Sequence, residues 1–428
     1  LGIIKKYSFG FLLLLSNCAY FNLFYNANKY FQEGLKSTNV AEAQTKFQKA
    51  KEKSNLLLVK YPHSKWEGDA LFIIAVSNYY LKEYRKALEQ FQFFLSYFPN
   101  HKKKADALYF QALTYLELKE YHKTMEILRD LTDRFPKYRP LSKYWIALIY
   151  YFQKDYQNFI DSMLYFVNHF KKHPLRKEAL LKIAEVYQEQ ERFREAKDFY
   201  YQLKDVETNE KEQIKILLKI VDCLCAGDKN KDTLLAYLKR LEEYIDKYSD
   251  LNNQINLAIG KIYLELENDK EAFNYLRKVK GSESQLAYYL IGKNWEEKGN
   301  FDSALVYYDS SYQKNPSSEL ASIISWKKTL MTELLNMEKD TADLGYYHFK
   351  LGEVYLLSLN NPSLAVKEYE KVYQNYPKSK YALKAKFASA YLYYTKVDRK
   401  KGENLLREII GEAPDSEYAQ KAKEILNL

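Results

Sequence analysis

His169 and His173 stand four residues apart, a spacing at which two imidazoles on one helical face can share a divalent metal. Lys171, Lys172 and Pro174 surround them and no carboxylate adjoins. The segment therefore reads as an exposed exit from a helix, and no metal is expected. Cys223 and Cys225 are two apart in an apparently helical stretch, so their thiols face different sides of it. That makes them small buried hydrophobes rather than a redox or metal pair. The acid pairs Glu242-Glu243 and Glu296-Glu297 fall on polar helix faces and read as solvated charge. No Gly-rich phosphate loop and no G-x-S-x-G elbow occurs. The chain is thus expected to be no enzyme and to need no cofactor.

The third cysteine keeps different company. Three cysteines cannot build a disulfide framework. Ahead of Cys18, Lys5 and Lys6 precede an apolar stretch from Phe9 to Leu15. It is too short to span a bilayer, which takes about 20 residues. Its layout is that of a secretory signal peptide. Leu1, where an initiator Met is usual, points to a non-AUG start or a clipped beginning. Leu15-Ser16-Asn17-Cys18 resembles a bacterial lipobox, with Asn17 where Gly, Ala or Ser is usual. The resemblance implies a diacylglyceryl thioether on Cys18, cleavage before it, and acylation of the new amine, as with palmitate. Ala19, where an Asp would signal retention in the inner membrane, implies the outer membrane. Several acyl chains anchor stably where one gives only marginal affinity. No other stretch approaches 18 apolar residues, so the remainder is expected to be soluble.

The chain that this anchor would hold has 428 residues, 47% of them apolar. A single core stops growing near roughly 250–300 residues, so either two domains or a repeat array is implied. Only 13 glycines and 9 prolines break it, while aromatics reach 16%, with 42 tyrosines. Scarce breakers favour long helices, and the aromatic content excludes a disordered chain. The net charge of +10 is interspersed with acids and forms no long basic block. That fits solvated helix faces, with a mild attraction to anionic headgroups. No nucleic-acid partner is expected.

Internal repetition sets the architecture. Glu83-Tyr84-Arg85-Lys86-Ala87-Leu88 aligns with Glu120-Tyr121-His122-Lys123-Thr124-Met125, and Pro62, Pro99 and Pro136 are spaced 37 apart, as are Pro377 and Pro414. Small residues recur in pairs twelve apart: Ala75 and Ala87, Ala112 and Thr124, Ala184 and Ala196, Gly260 and Ala272, Gly292 and Ala304, Ala390 and Gly402. Such pairs let two antiparallel helices approach closely. Later aromatics (Phe91, Tyr200, Tyr308, Tyr369) fill the wedge between neighbouring pairs, and the prolines end the second helix. The pattern resembles the tetratricopeptide repeat over most of residues 40–428. It implies an all-α, tetratricopeptide-type helical-hairpin solenoid, a right-handed superhelix in which stacked pairs bury each other's apolar faces.

The expected organisation runs as follows: 1–17 signal peptide with lipobox; 18–62 lipid-anchored segment and first helix pair; 63–210 repeats. Residues 211–316 hold less regular and then regular repeats, phased around Leu234. Residues 317–428 add an extra helix over Glu319–Met337, an internal joint, further repeats and a capping helix from about Ser416. In such arrays the first helix of each pair lines a concave surface. That phase places Phe72, Tyr79, Tyr80, Tyr109, Tyr144, Tyr151 and Phe152 on a Tyr-rich peptide-binding groove. Beyond it the equivalent places turn charged, as Glu178, Glu185, Gln188, Glu189, Lys261, Lys293 and Glu296.

The run from Cys18 through Tyr20-Phe21-Asn22-Leu23-Phe24-Tyr25 to Tyr30-Phe31 resembles the start of BamD-like envelope lipoproteins, whose lipidated cysteine leads into an aromatic first helix. Tyr and Phe there could also rest in the bilayer interface. The resemblance implies a periplasm-facing, lipid-anchored outer-membrane scaffold in β-barrel protein assembly. Its partners would be other envelope proteins or unfolded outer-membrane protein segments. The alternative is a periplasmic tetratricopeptide scaffold in cell division, peptidoglycan or Tol-Pal function.

Overall fold

A computed structural model describes residues 21–428 except 246 and 340–342, and only the backbone of 228, 338 and 358. Cys18 and the residues expected to form a leader, 1–17, lie outside the described residues. Helices joined by short turns make up the structure, and no strand occurs among the described residues. The chain divides into two compact units, the first ending at Asp228 and the second running from Lys229 to Leu428.

Unit 1 is a series of helix pairs. α1 (residues 21–36) pairs with α2 (Val40–Lys60), α3 (Glu67–Tyr80) with α4 (Tyr84–Tyr97), and α5 (Lys104–Glu117) with α6 (Tyr121–Arg134). α7 (Arg139–Phe152) pairs with α8 (Tyr156–His169), and α9 (Arg176–Glu189) with α10 (Phe193–Val206). α11 (Glu210–Cys223) closes the unit through a π-turn, Leu224–Asp228.

Unit 2 opens with α12 (Lys231–Glu242), whose Leu234 is fully buried. α13 (Asn252–Glu265) then pairs with α14 (Asp269–Leu276), and α15 (Ser284–Glu297) with α16 (Phe301–Lys314). The extra helix is α17 (Glu319–Lys339), followed by α18 (Leu344–Glu353) with α19 (Pro362–Asn375), and α20 (Ala382–Leu392) with α21 (Arg399–Glu412). α22 (Glu417–Leu426) ends the unit, its first turn capped by the Ser416 side chain. The interval around α17 is not a boundary between compact units. Ile324 and Met331 of α17 lie in one core with Tyr308, Tyr347, Phe349 and Tyr369.

Local chemistry explains the regularity. Most first helices are 14 residues long and end the same way. Lys82, Lys119, Lys154, Glu191, Glu267 and Gly299 each take a left-handed backbone, with φ 62°, 60°, 61°, 58°, 61° and 74°. The next residue's N–H reaches back to a helix carbonyl, as from Glu83 to Asn78 (2.8 Å) and from Glu120 to Tyr115 (2.9 Å). This is the six-to-one closure that satisfies orphan carbonyls at a helix end. Asp155, Asn268, Asn300, Asn361 and Asp398 then cap the second helix with their side chains.

The small residues sit where the two helices of a pair touch. Ala75, Ala87, Ala112, Thr124, Ala184, Ala196, Ala272, Ala304 and Ala390 are fully buried. A Cβ on Gly260 would stand 3.4 Å from the Ala272 carbonyl oxygen, and one on Gly292 would stand 3.3 Å from that of Ala304. Phe91, Tyr200, Tyr308 and Tyr369 are buried as wedges. Tyr308 and Tyr369 lie against Gly292 and Gly352, where any side chain would collide with the ring.

Candidate protein-binding surface

The rings expected on a groove occupy two registers of the 14-residue first helices. Phe72, Tyr109 and Tyr144 hold the sixth place of α3, α5 and α7, while Tyr79-Tyr80 and Tyr151-Phe152 hold the last two places of α3 and α7. The registers have different fates.

The sixth place points into the stack, so Phe72 and Tyr144 are buried and cannot line an open groove. Phe72 meets Phe31 of α1, Phe94 of α4 and Phe110 of α5, at centroid distances of 6.2, 6.0 and 6.5 Å. Tyr144 meets Phe166 of α8 at 5.5 Å, and burial with Glu178 nearby pushes its phenol pKa up. A helix touched by its own partner and by the next pair has little free circumference, which is why α3 is buried along most of its length. Tyr109 is half-buried. Its hydroxyl accepts a hydrogen bond from the Trp145 indole at 2.9 Å.

The last two places lie at the helix edge and stay accessible. Tyr80 is 36% exposed and stacks flat on Phe47, 4.4 Å between centroids. Tyr79 packs edge-on between Tyr80 and Phe110, at 5.3 and 5.6 Å. Phe152 is 47% exposed and stacks on Tyr121, while the Lys182 ammonium sits 6.0 Å from the Tyr151 ring centre. Lys182 is in turn paired with Glu185 at 2.8 Å. The structure thus keeps four of the seven expected rings near the surface at one recurring edge. Rigid rings with few rotamers give contact area at low entropic cost, which suits capture of a peptide.

In α9 of unit 1 and α15 of unit 2 the last two places are polar, Gln188-Glu189 and Glu296-Glu297. Glu242 and Glu243 are exposed as expected. Glu296 is not. It is 3% exposed and accepts two hydrogen bonds from Lys327 of α17, at 2.6 and 3.0 Å, and one from the Tyr308 hydroxyl. The extra helix covers what would otherwise be an open polar face. Burial, and then Glu296, push the Tyr308 phenol far up. Beside this cluster is a cleft of about 600 Å³ floored by Phe301, Tyr347 and Tyr355. On its wall His348 Nδ1 lies 2.8 Å from Glu368, and Lys371 donates to the same carboxylate at 2.7 Å. Burial would raise the Glu368 pKa, but His348 and Lys371 outweigh it and hold it below the usual 4.5.

His169, His173 and the two internal cysteines are held by local contacts. His169 stacks on Tyr165 at 3.9 Å, and its Nδ1 lies 2.9 Å from the Tyr165 carbonyl. His173 packs edge-on against Phe166, and burial lowers its pKa. Among the described residues no three His, Cys, Asp or Glu side chains are grouped as metal ligands. Cys223 and Cys225 are buried, and burial pushes the Cys223 thiol up to about 11. No described helix is long and apolar enough to cross a membrane.

Known proteins share these features in pieces. Residues 23–133, which hold α1 to α5 and most of α6, match the YfiO family, described as an outer membrane lipoprotein. Residues 178–206 and 346–379 match one tetratricopeptide repeat family, and 254–285 match another. Among solved structures, the C-terminal part of a repeat-containing protein from Cytophaga hutchinsonii is similar, at 13% identity over 70% of this chain and 98% of that one, with a TM-score of 0.45. A tetratricopeptide repeat protein from Parabacteroides merdae is similar at 14% identity over 73% of this chain and 98% of that one, with a TM-score of 0.35. No protein of curated function matches. Fold and matches together define an all-α tetratricopeptide-type solenoid of the protein-binding scaffold class, whose N-terminal pairs are similar to an outer membrane lipoprotein family.

Proposed function

We propose that this protein is a lipid-anchored outer-membrane scaffold, held at the periplasmic face through acylated Cys18, that assists the assembly of β-barrel proteins and catalyses nothing. The observation that carries the reading is the outer-membrane-lipoprotein match over residues 23–133, which begins five residues after Cys18. The partners are other envelope proteins or unfolded outer-membrane protein segments. Tyr80, Tyr151 and Phe152, with Tyr79 behind them, offer such a segment flat aromatic contact. Phe72 and Tyr144 act from within, by fixing the helices that present those rings.

Two measurements test this. In membranes washed with high salt, the parent protein stays in the pellet and the Cys18→Ala variant moves to the supernatant with an unchanged circular dichroism spectrum. Retention of that variant after the wash would end the anchoring half of the reading. Pull-down of the tagged, lipidated protein recovers barrel-assembly components or nascent barrel proteins, and a Tyr80→Ala/Phe152→Ala variant recovers several-fold less while melting with the parent. Recovery of division, peptidoglycan or Tol-Pal proteins instead would overturn the assembly half.

A further inference from the structure

We propose that the outer face of α1 is a second membrane contact, which docks on an anionic bilayer surface independently of any acyl chain. Phe21, Tyr25, Lys29, Gln32 and Lys36 recur three or four residues apart and form one exposed stripe along α1. Phe21 and Tyr25 are 57% and 56% exposed and stack on each other at 6.4 Å. The opposite face is committed to the core. Phe24 stacks on Trp66 at 4.1 Å, Phe31 packs on Phe47 and Phe72, and Gly34 lies against the Phe47 ring. The stripe therefore cannot turn inward without undoing the first pair.

Two further observations name the occupant. The first is charge. Residues 21–66 hold eight lysines against three glutamates, a net +5 and half of the chain's +10. The Lys46 ammonium, hydrogen-bonded to Glu33 at 2.6 Å, holds that carboxyl below the usual range, and with Lys29 and Lys49 also nearby the neighbourhood is net positive. The second is position. The stripe begins three residues after Cys18. Aromatic rings beside lysines, on a helix lying flat, are what the headgroup boundary of an anionic leaflet takes. α22 contrasts with this stripe, exposing only polar side chains at Glu417, Gln420, Lys421, Lys423 and Glu424.

The inference stands beside the anchoring proposal and is tested on a chain that cannot be acylated. The full Cys18→Ala chain is mixed with vesicles of phosphatidylcholine plus phosphatidylglycerol, or of phosphatidylcholine alone, and sedimented. It binds the anionic vesicles preferentially, and high salt releases it. Lys29→Ser/Lys36→Ser weakens that binding about fivefold for each lysine removed. Phe21→Ser/Tyr25→Ser weakens binding to both kinds of vesicle and leaves the salt dependence in place. All these residues are exposed, so the melts should superimpose, and any uncleaved leader is common to every variant. Equal binding to both vesicle types, no binding at all, or binding indifferent to both double variants would overturn the proposal. None of those results bears on acylation of Cys18.

Discussion

Lys327→Met destabilises unit 2 by about 3–5 kcal/mol, the loss expected when one partner of a buried ion pair is removed. The Glu296 carboxylate then stays buried with its one charged donor and two hydrogen bonds gone, while the Tyr308 hydroxyl still points at it. A carboxylate in that position either keeps its charge without compensation or takes up a proton, and both options cost stability. The effect appears as an earlier urea transition and as faster amide exchange in α15, α16 and α17, while peptides of unit 1 exchange at the parent rate. Adding Glu296→Gln to the variant returns most of the loss, because the Gln carbonyl still accepts from Tyr308 and no charge remains. If the single variant unfolded with the parent, water would have to reach Glu296, and the pair would be no more than a surface ion pair.

Gly402→Ala shows the opposite limit, harm done by adding one carbon. Within a helix, Ala is normally favoured over Gly by about 0.5–1 kcal/mol. At Gly402 the new Cβ would stand 2.2 Å from the backbone nitrogen of Tyr394 and 2.5 Å from its Cα. Backbone atoms cannot swing aside as a ring edge can, so the π-turn Tyr393–Val397 that follows α20 must move away from α21. The expected net loss is about 2–3 kcal/mol, near the top of the overpacking range. The same helix supplies the control. A Cβ on Gly411 meets nothing within 4 Å, so Gly411→Ala should raise stability by a few tenths to about 1 kcal/mol. Thermal melts of the two variants should move in opposite directions. A rise in both would mean that the close approach of this turn to α21 is not rigid.

These cases show what the residues disclose and where they fall silent. The pairing of Ala390 with Gly402, or of Gly292 with Ala304, is legible because close helix approach admits only small side chains, and that restriction recurs at a fixed interval. The buried rings Phe91 and Tyr200 are legible because each follows its small residue, Ala87 and Ala196, by four places, on the same helical face. Periodicity identifies the apolar face of a helix but not the neighbour that covers it. Phe72 and Tyr144 therefore read as groove residues, although each first helix is enclosed by more neighbours than its own pattern reveals. Glu296 reads as solvated beside Glu297, because its partner lies on α17, a helix visible as an insertion but without the repeat that would place it. Tyr80 and Phe152, at the helix edge, kept the exposure expected of them.

The shared turn after each first helix has one more consequence. Gly299 adopts the left-handed backbone freely, but Lys82, Lys119, Lys154, Glu191 and Glu267 hold it against steric resistance of about 1–2 kcal/mol apiece. These positions sit in separate hairpins, so their penalties accumulate without interfering. The molecule thus keeps unclaimed thermal headroom spread along its length, although Lys82 and Lys154 stand only two residues beyond Tyr80 and Phe152. A lineage moving to hotter surroundings could take up that headroom one corner at a time, most freely at Glu191 and Glu267, whose helices end in Gln188-Glu189 and Leu264-Glu265 rather than in paired rings.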